Sequence, residues 1–210
     1  MKKALLIALI GLTTAMSSLY ATQSLTLNGP NIWNPGTSVT LTVDDLFLNF
    51  GGSYGLSYWL QVNNAIAPFL TITSLAYHQP FTDGNNIGTF PFSFNSTSGA
   101  DAGFMSTTTA NGQSGDLGAT SNPLVLVPDG IYVDVTDITF ALAAGAPVGA
   151  YTLRTTTASP RGSIQVTSDF SDMPIPQGPF VFDVVPEPST VALIGLTGLG
   201  AGVVACRRRK

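Results

Sequence analysis

The sequence holds one histidine, one cysteine and one glutamate, so its stock of groups for nucleophilic, acid–base or soft-metal chemistry is small. His78 stands in Tyr77-His78-Gln79-Pro80, Cys206 lies near the C-terminus, and Glu187 sits between Pro186 and Pro188. A zinc centre built on imidazoles would have one ligand, and a Cys–His pair would have to form across the apolar segment before Cys206. Serine and aspartate are plentiful enough for a Ser-His-Asp set, but no nucleophile-elbow sequence surrounds any serine, and His78 reads as a surface or turn residue. Glycoside hydrolysis needs two placed carboxylates. The adjacent Asp44 and Asp45 would point to opposite faces of a strand. No catalytic residues are therefore expected.

Oxygen ligands are more abundant. Asp83, Asn85 and Asn86 flank Gly84, and Asp129, Asp134 and Asp137 lie close in sequence, a donor set suited to a hard cation such as calcium. No EF-hand spacing is present, and turn formation is the alternative use of these residues. No cofactor beyond such a calcium ion is expected. Trp59 falls opposite the phase of Leu56, Tyr58 and Leu60, where an outward indole would stack on a sugar ring; the alternative is a place in the core. The runs Thr107 to Thr109 and Thr155 to Thr157 are similar to the threonine arrays of ice-binding surfaces, without the regular repeat such arrays need.

Only 10% of the 210 residues are charged, against about a quarter in an average soluble domain. Lys2, Lys3, Arg207, Arg208, Arg209 and Lys210 occupy the two ends. Between Thr22 and Val185 stand 11 Asp and only Arg154 and Arg161, a net charge of −9. Nothing there would neutralise a run of phosphates, so nucleic acid is not an expected partner.

The ends carry addresses. Met1-Lys2-Lys3, an apolar block from Ala4 to Leu12 and a polar stretch closing at Tyr20-Ala21 have the layout of a signal peptide spanning 1–21, cleaved after Ala21 by signal peptidase. At the other end Thr190 to Cys206 is apolar and glycine-rich, at the short limit for a transmembrane helix, and stops at Arg207-Arg208-Arg209-Lys210, a cluster that would stay cytoplasmic. Directly before it, Val185-Pro186-Glu187-Pro188 is held extended by its prolines. Motif, short apolar helix and basic cluster, in that order, resemble the PEP-CTERM sorting signal, some versions of which are labelled an ice-binding-protein C-terminal region. The resemblance implies a Gram-negative, exopolysaccharide-producing bacterium and an exosortase-like protease that recognises Pro186, Glu187 and Pro188. With Cys206 alone, no intramolecular disulfide forms.

The body between the ends alternates with a period of two. Val39, Leu41 and Val43; Leu56, Tyr58, Leu60 and Val62; Leu70 and Ile72; Tyr151 and Leu153; Ile164 and Val166; and Phe180, Phe182 and Val184 are the expected inward sets. Eight or nine such strands predict an all-β, two-sheet antiparallel β-sandwich. The inward set Ile131, Val133, Val135 changes parity to Ile138, Phe140, Leu142, which predicts a bulge near Thr136-Asp137. Ala146 to Ala150 is expected to turn this strand into a hairpin with Tyr151-Thr152-Leu153. Asn95 to Asn122, poor in large apolar residues, is expected to be a long loop or insertion. The Asn34-Pro35-Gly36 turn before Thr37 to Val43, the Leu56 to Val62 strand and Pro147-Val148-Gly149-Ala150-Tyr151 make the body similar to cohesin-type and immunoglobulin-like sandwiches, with a jelly roll as the other arrangement. The expected domains are 1–21 signal peptide, 22–185 sandwich and 186–210 sorting signal. The expected role is a non-catalytic protein of the envelope or extracellular matrix, held first at the inner membrane by its C-terminal helix and associated with exopolysaccharide or biofilm. A carbohydrate-binding or ice-binding module is the alternative.

Overall fold

The computed structural model describes residues 21–84, 92–96, 103–105, 117–156, 163–176 and 178–186. They form fifteen strands and a single 3-10 turn at Ala67–Phe69. The strands are β1 Thr22–Asn28, β2 Ile32–Trp33, β3 Ser38–Leu48, β4 Ser53–Ser57, β5 Leu60–Val62, β6 Leu70–Tyr77, β7 Phe81–Gly84 and β8 Phe92–Ser96. They continue with β9 Gly103–Met105, β10 Ala119–Ser121, β11 Gly130–Leu142, β12 Gly149–Thr155, β13 Ile164–Thr167, β14 Asp172–Pro174 and β15 Pro179–Val184. A ten-stranded ladder runs β1-β3-β11-β6-β8-β9-β5-β12-β15-β2, and a five-stranded sheet runs β14-β13-β4-β10-β7. The all-β expectation holds, with more strands than the eight or nine the alternation suggested.

Alternation decides the burial of the long strands. In β3, Leu41, Val43, Asp45 and Phe47 face inward while Thr42, Asp44 and Leu46 are half-buried on the other face. The apolar phase therefore carries one carboxyl group, Asp45, into the core. Trp33 of β2 lies fully buried, its indole N–H donating to the Pro30 carbonyl at 2.7 Å. Its ring stacks on Phe182 of β15 at 4.1 Å and tilts against Phe140 of β11 at 5.6 Å, so one side chain joins distant parts of the ladder.

Five expectations change. First, Leu56 to Val62 is not one strand: β4 belongs to the five-stranded sheet and β5 to the ten-stranded ladder, the chain crossing between sheets at Tyr58-Trp59. Residues of both phases are consequently buried there, Trp59 included at 8% exposure. Second, β11 and β12 are not a hairpin; β11 pairs with β3 and β6, whereas β12 pairs with β15 and β5. Third, the irregularity against β3 lies between Tyr132 and Thr136, where four residues of β11 span two of β3. Two inserted residues preserve parity, so Thr136, Ile138, Phe140 and Leu142 share the inward face with the half-buried Tyr132; of the expected inward set Val135 is buried, while Ile131 and Val133 are 71% and 69% exposed. Fourth, β13 buries Gln165 and Thr167 and leaves Ile164 and Val166 half-buried, because its inward face meets the polar Asp45 and Ser53. Fifth, Asn95 to Asn122 contributes strand residues to β8, β9 and β10; its remainder lies outside the described residues apart from Leu117, Gly118 and Asn122.

Candidate functional site: a histidine and two aspartates at the bulge of β11

The end of β6 and the irregular half of β11 bring His78, Asp134 and Asp137 together. Pairing of β6 with β11 begins at Tyr77 opposite Thr136, and the next residue, His78, donates its backbone N–H to the Val135 carbonyl at 3.0 Å. That bond fixes the imidazole beside the bulge. Within the bulge Asp134 adopts φ 56°, a left-handed conformation in which aspartate is among the better tolerated residues. Its N–H donates to Asp44 Oδ1 at 2.8 Å, and Asp44 Oδ2 accepts from the Asn28 side-chain amide at 2.8 Å. The chain is thereby turned so that two successive carboxylates of β11 face one ring.

His78 Nε2 lies 3.3 Å from Asp137 Oδ2 and 3.9 Å from Asp134 Oδ1. The three donor atoms are all within 4.8 Å of one another, and the side chains of His78, Asp134 and Asp137 are 42%, 53% and 33% exposed. Arg154 is the only Lys or Arg among the described residues and sits on β12, opposite Gln61 and Pro179. The imidazole, when protonated, is thus the local counter-charge; a bound cation would do the same work with stronger geometry. Sequence reasoning placed Asp134 and Asp137 together but treated His78 separately, since 59 residues separate it from Asp137. The predicted bulge was the available signal, because bulges re-aim side chains.

The other candidates part company. Asp129 accepts the backbone N–H groups of Phe50, Gly51 and Gly52 at 3.0–3.2 Å, so it clamps the β3–β4 loop and does not join Asp134 and Asp137. Asp83 is exposed on β7, and its proposed companions Asn85 and Asn86 lie outside the described residues. Trp59 does not offer an outward face: the change of sheet buries it, with its carbonyl bound to the Thr156 N–H at 2.9 Å. Among the described residues the most exposed aromatic ring is that of Phe170, 64% exposed and stacked on Tyr54 at 4.5 Å. Thr155 and Thr156 are fully buried and form no surface array; Thr157 and Thr107 to Thr109 lie outside the described residues.

Asp45 is a second polar centre. It is 1% exposed, and burial pushes its carboxyl up to about 7, a shift only partly offset by the Gln165 amide N–H at 3.3 Å. Its Oδ1 and Gln165 Oε1 are buried without hydrogen-bond partners. The same Gln165 amide donates to Ser53 Oγ at 2.7 Å. Two depressions among the described residues hold about 140 Å³ beside Asn63 and Arg154 and about 260 Å³ beside Pro80 and Asn122. Such sites usually enclose roughly 300–1,000 Å³.

At the C-terminal edge, β15 ends at Val184, the Val185 N–H donates to the Trp33 carbonyl at 3.0 Å, and Pro186 is exposed. Glu187, Pro188, the 190–206 block with Cys206, and Arg207, Arg208, Arg209 and Lys210 lie outside the described residues, as do residues 1–20 of the expected signal peptide. Among the described residues no helix is long and apolar enough to cross a membrane.

Residues 184–210 match the PEP-CTERM protein-sorting motif. No curated protein matches the chain. Among solved structures it is similar to a cohesin module from a Clostridium perfringens family 33 glycoside hydrolase, with a TM-score of 0.50 and 8% identity over 80% of this chain and 100% of that one. A CARDB domain from Pyrococcus furiosus, solved in complex with di-metal ions, aligns over 80% of this chain and 96% of its own at 10% identity and a TM-score of 0.39, a likeness too distant to bear on the site. The chain thus carries a PEP-CTERM sorting motif at its C-terminal end, on a body with a cohesin-like β-sandwich fold.

Proposed function

We propose that this is an exported, non-catalytic protein of the cell envelope or extracellular matrix, delivered through its PEP-CTERM signal and processed by an exosortase-like protease. The motif match beginning at Val184 carries the proposal, since Val184 is also the last residue of β15. The signal therefore leaves the folded body without a spacer, and Pro186 stands exposed at its start. In this scheme residues 1–21 are removed by signal peptidase, 22–185 form the delivered body, and 186–210 hold the precursor at the inner membrane until cleavage. With a net charge of −9 the body would repel polyanions, so the exopolysaccharide compatible with it is a neutral one. The shallow depressions and the single described histidine, paired with carboxylates, favour a binding or packing role over catalysis.

The test is Glu187→Ala in the native host. Loss of the motif's only carboxylate is expected to leave the longer, membrane-held form accumulating, as read by fractionation and intact mass. Unchanged processing at an unchanged rate would show a plain tail anchor instead.

A further inference from the structure

We propose that His78, Asp134 and Asp137 bind one divalent cation of the zinc class, which staples the end of β6 to the bulge of β11. A four-coordinate zinc ion with bonds of about 2.0–2.1 Å holds its ligand atoms about 3.3 Å apart. His78 Nε2 and Asp137 Oδ2 are already at 3.3 Å, and Asp134 Oδ1 is 3.9 Å from the same nitrogen. Asp134 is half-exposed, so a small side-chain rotation completes the set without moving buried groups. The solvent-facing side leaves the fourth position to water.

The donor chemistry selects the cation. Calcium takes six to eight oxygen ligands, whereas this cluster offers two carboxylates and an imidazole nitrogen, a mixture that suits zinc and its first-row neighbours. The backbone independently presents the donors from two elements: the His78 N–H is bound to Val135, and the Asp134 N–H to Asp44. Asp44 thus orients a ligand-bearing residue through its main chain. A cation here also relieves the repulsion of Asp134 and Asp137, since the only Lys or Arg among the described residues, Arg154, sits on β12 between β5 and β15.

The test uses the untagged full-length chain with Cys206→Ser, so that the lone thiol takes no part. Calorimetric titration with Zn²⁺ is expected to show one site, and Co²⁺ in its place the visible absorption of a four-coordinate ion. His78→Gln retains a side chain able to bond a carboxylate but removes the metal-binding nitrogen; with Asp137→Asn, it should weaken Zn²⁺ binding at least about tenfold. Asp83→Asn, on β7, should bind as the parent does. Zn²⁺ should raise the Tm of the parent and not of His78→Gln, and Ca²⁺ should raise neither. No uptake at millimolar Zn²⁺, parent-like affinity in His78→Gln, or Ca²⁺ binding as tight as Zn²⁺ would overturn the site.

Discussion

The two halves of β11 obey different rules. From Thr136 to Leu142 the strand is paired on both sides, in unbroken register with β3 and with one extra residue of β6, Thr73, between the partners of Thr139 and Phe140, and its inward residues Ile138, Phe140 and Leu142 are buried. From Gly130 to Val135 it pairs with β3 alone, inserts two residues, and turns Ile131 and Val133 to solvent. The regular half contributes to the core and the irregular half gathers His78, Asp134 and Asp137. In the irregular half apolar residue type does not decide burial: Val135 is fully buried, yet Ile131 and Val133 are exposed. Where the register slipped, position in the bulge outweighed hydrophobicity.

The largest effect should come from breaking the regular half. Phe140→Ala removes a fully buried ring that touches Trp33, and is expected to destabilise the protein by about 3–5 kcal/mol in urea denaturation. A cost like that of a surface substitution would mean that the two halves do not differ as described.

Asp45, which faces Tyr132 across the β3–β11 ladder, sharpens the contrast through pH. Its folded carboxyl lies at about 7 against an ordinary 3.8, so the folded state holds the proton more tightly. Its favourable contribution is complete below the ordinary value and is lost as pH rises from about 4 through about 7, to the extent of roughly 4 kcal/mol over the window. Asp45→Asn is expected to flatten this slope in stability measured between pH 4 and 8. An equally steep slope in the variant would assign it to other groups.

The smallest effect belongs to the outward residues of the irregular half. Ile131→Thr, at a position 71% exposed, should change stability by no more than about 0.5 kcal/mol in the same urea experiment. A cost of several kcal/mol would show that this side chain is covered in the folded protein.

Much of the sandwich was legible because period-two alternation reports directly on a paired strand: Leu41 and Val43, Leu70 and Ile72, Phe182 and Val184 all face inward as their spacing demands. The same spacing concealed the crossing at Tyr58-Trp59, since a chain changing sheets can keep an unbroken apolar pattern. β13 inverted the expectation because Gln165 finds Asp45 and Ser53 inside, and hydrogen bonding rather than apolarity sets that face. The His78 cluster was only half legible. Parity marked an irregularity near Asp137, but the β6–β11 register that brings the ring to it is a long-range property. The sorting motif, by contrast, is contiguous, and its order of residues is itself the signal.

The junction at Val184 has a mechanical consequence. In the membrane-held precursor proposed above, drag on the body would pass to the signal through β15, the strand at whose last residue the motif match begins. That strand lies between antiparallel β12, in register from Gly149 opposite Val184 to Arg154 opposite Pro179, and the short parallel β2. Its hydrogen bonds to β12 run across the direction of pull, so they share the load together as a lap joint does, rather than opening one after another like a zipper. The stacked rings of Trp33 and Phe182 resist the same sliding from beneath. In that precursor the tether would be fastened to a strand bonded on both sides.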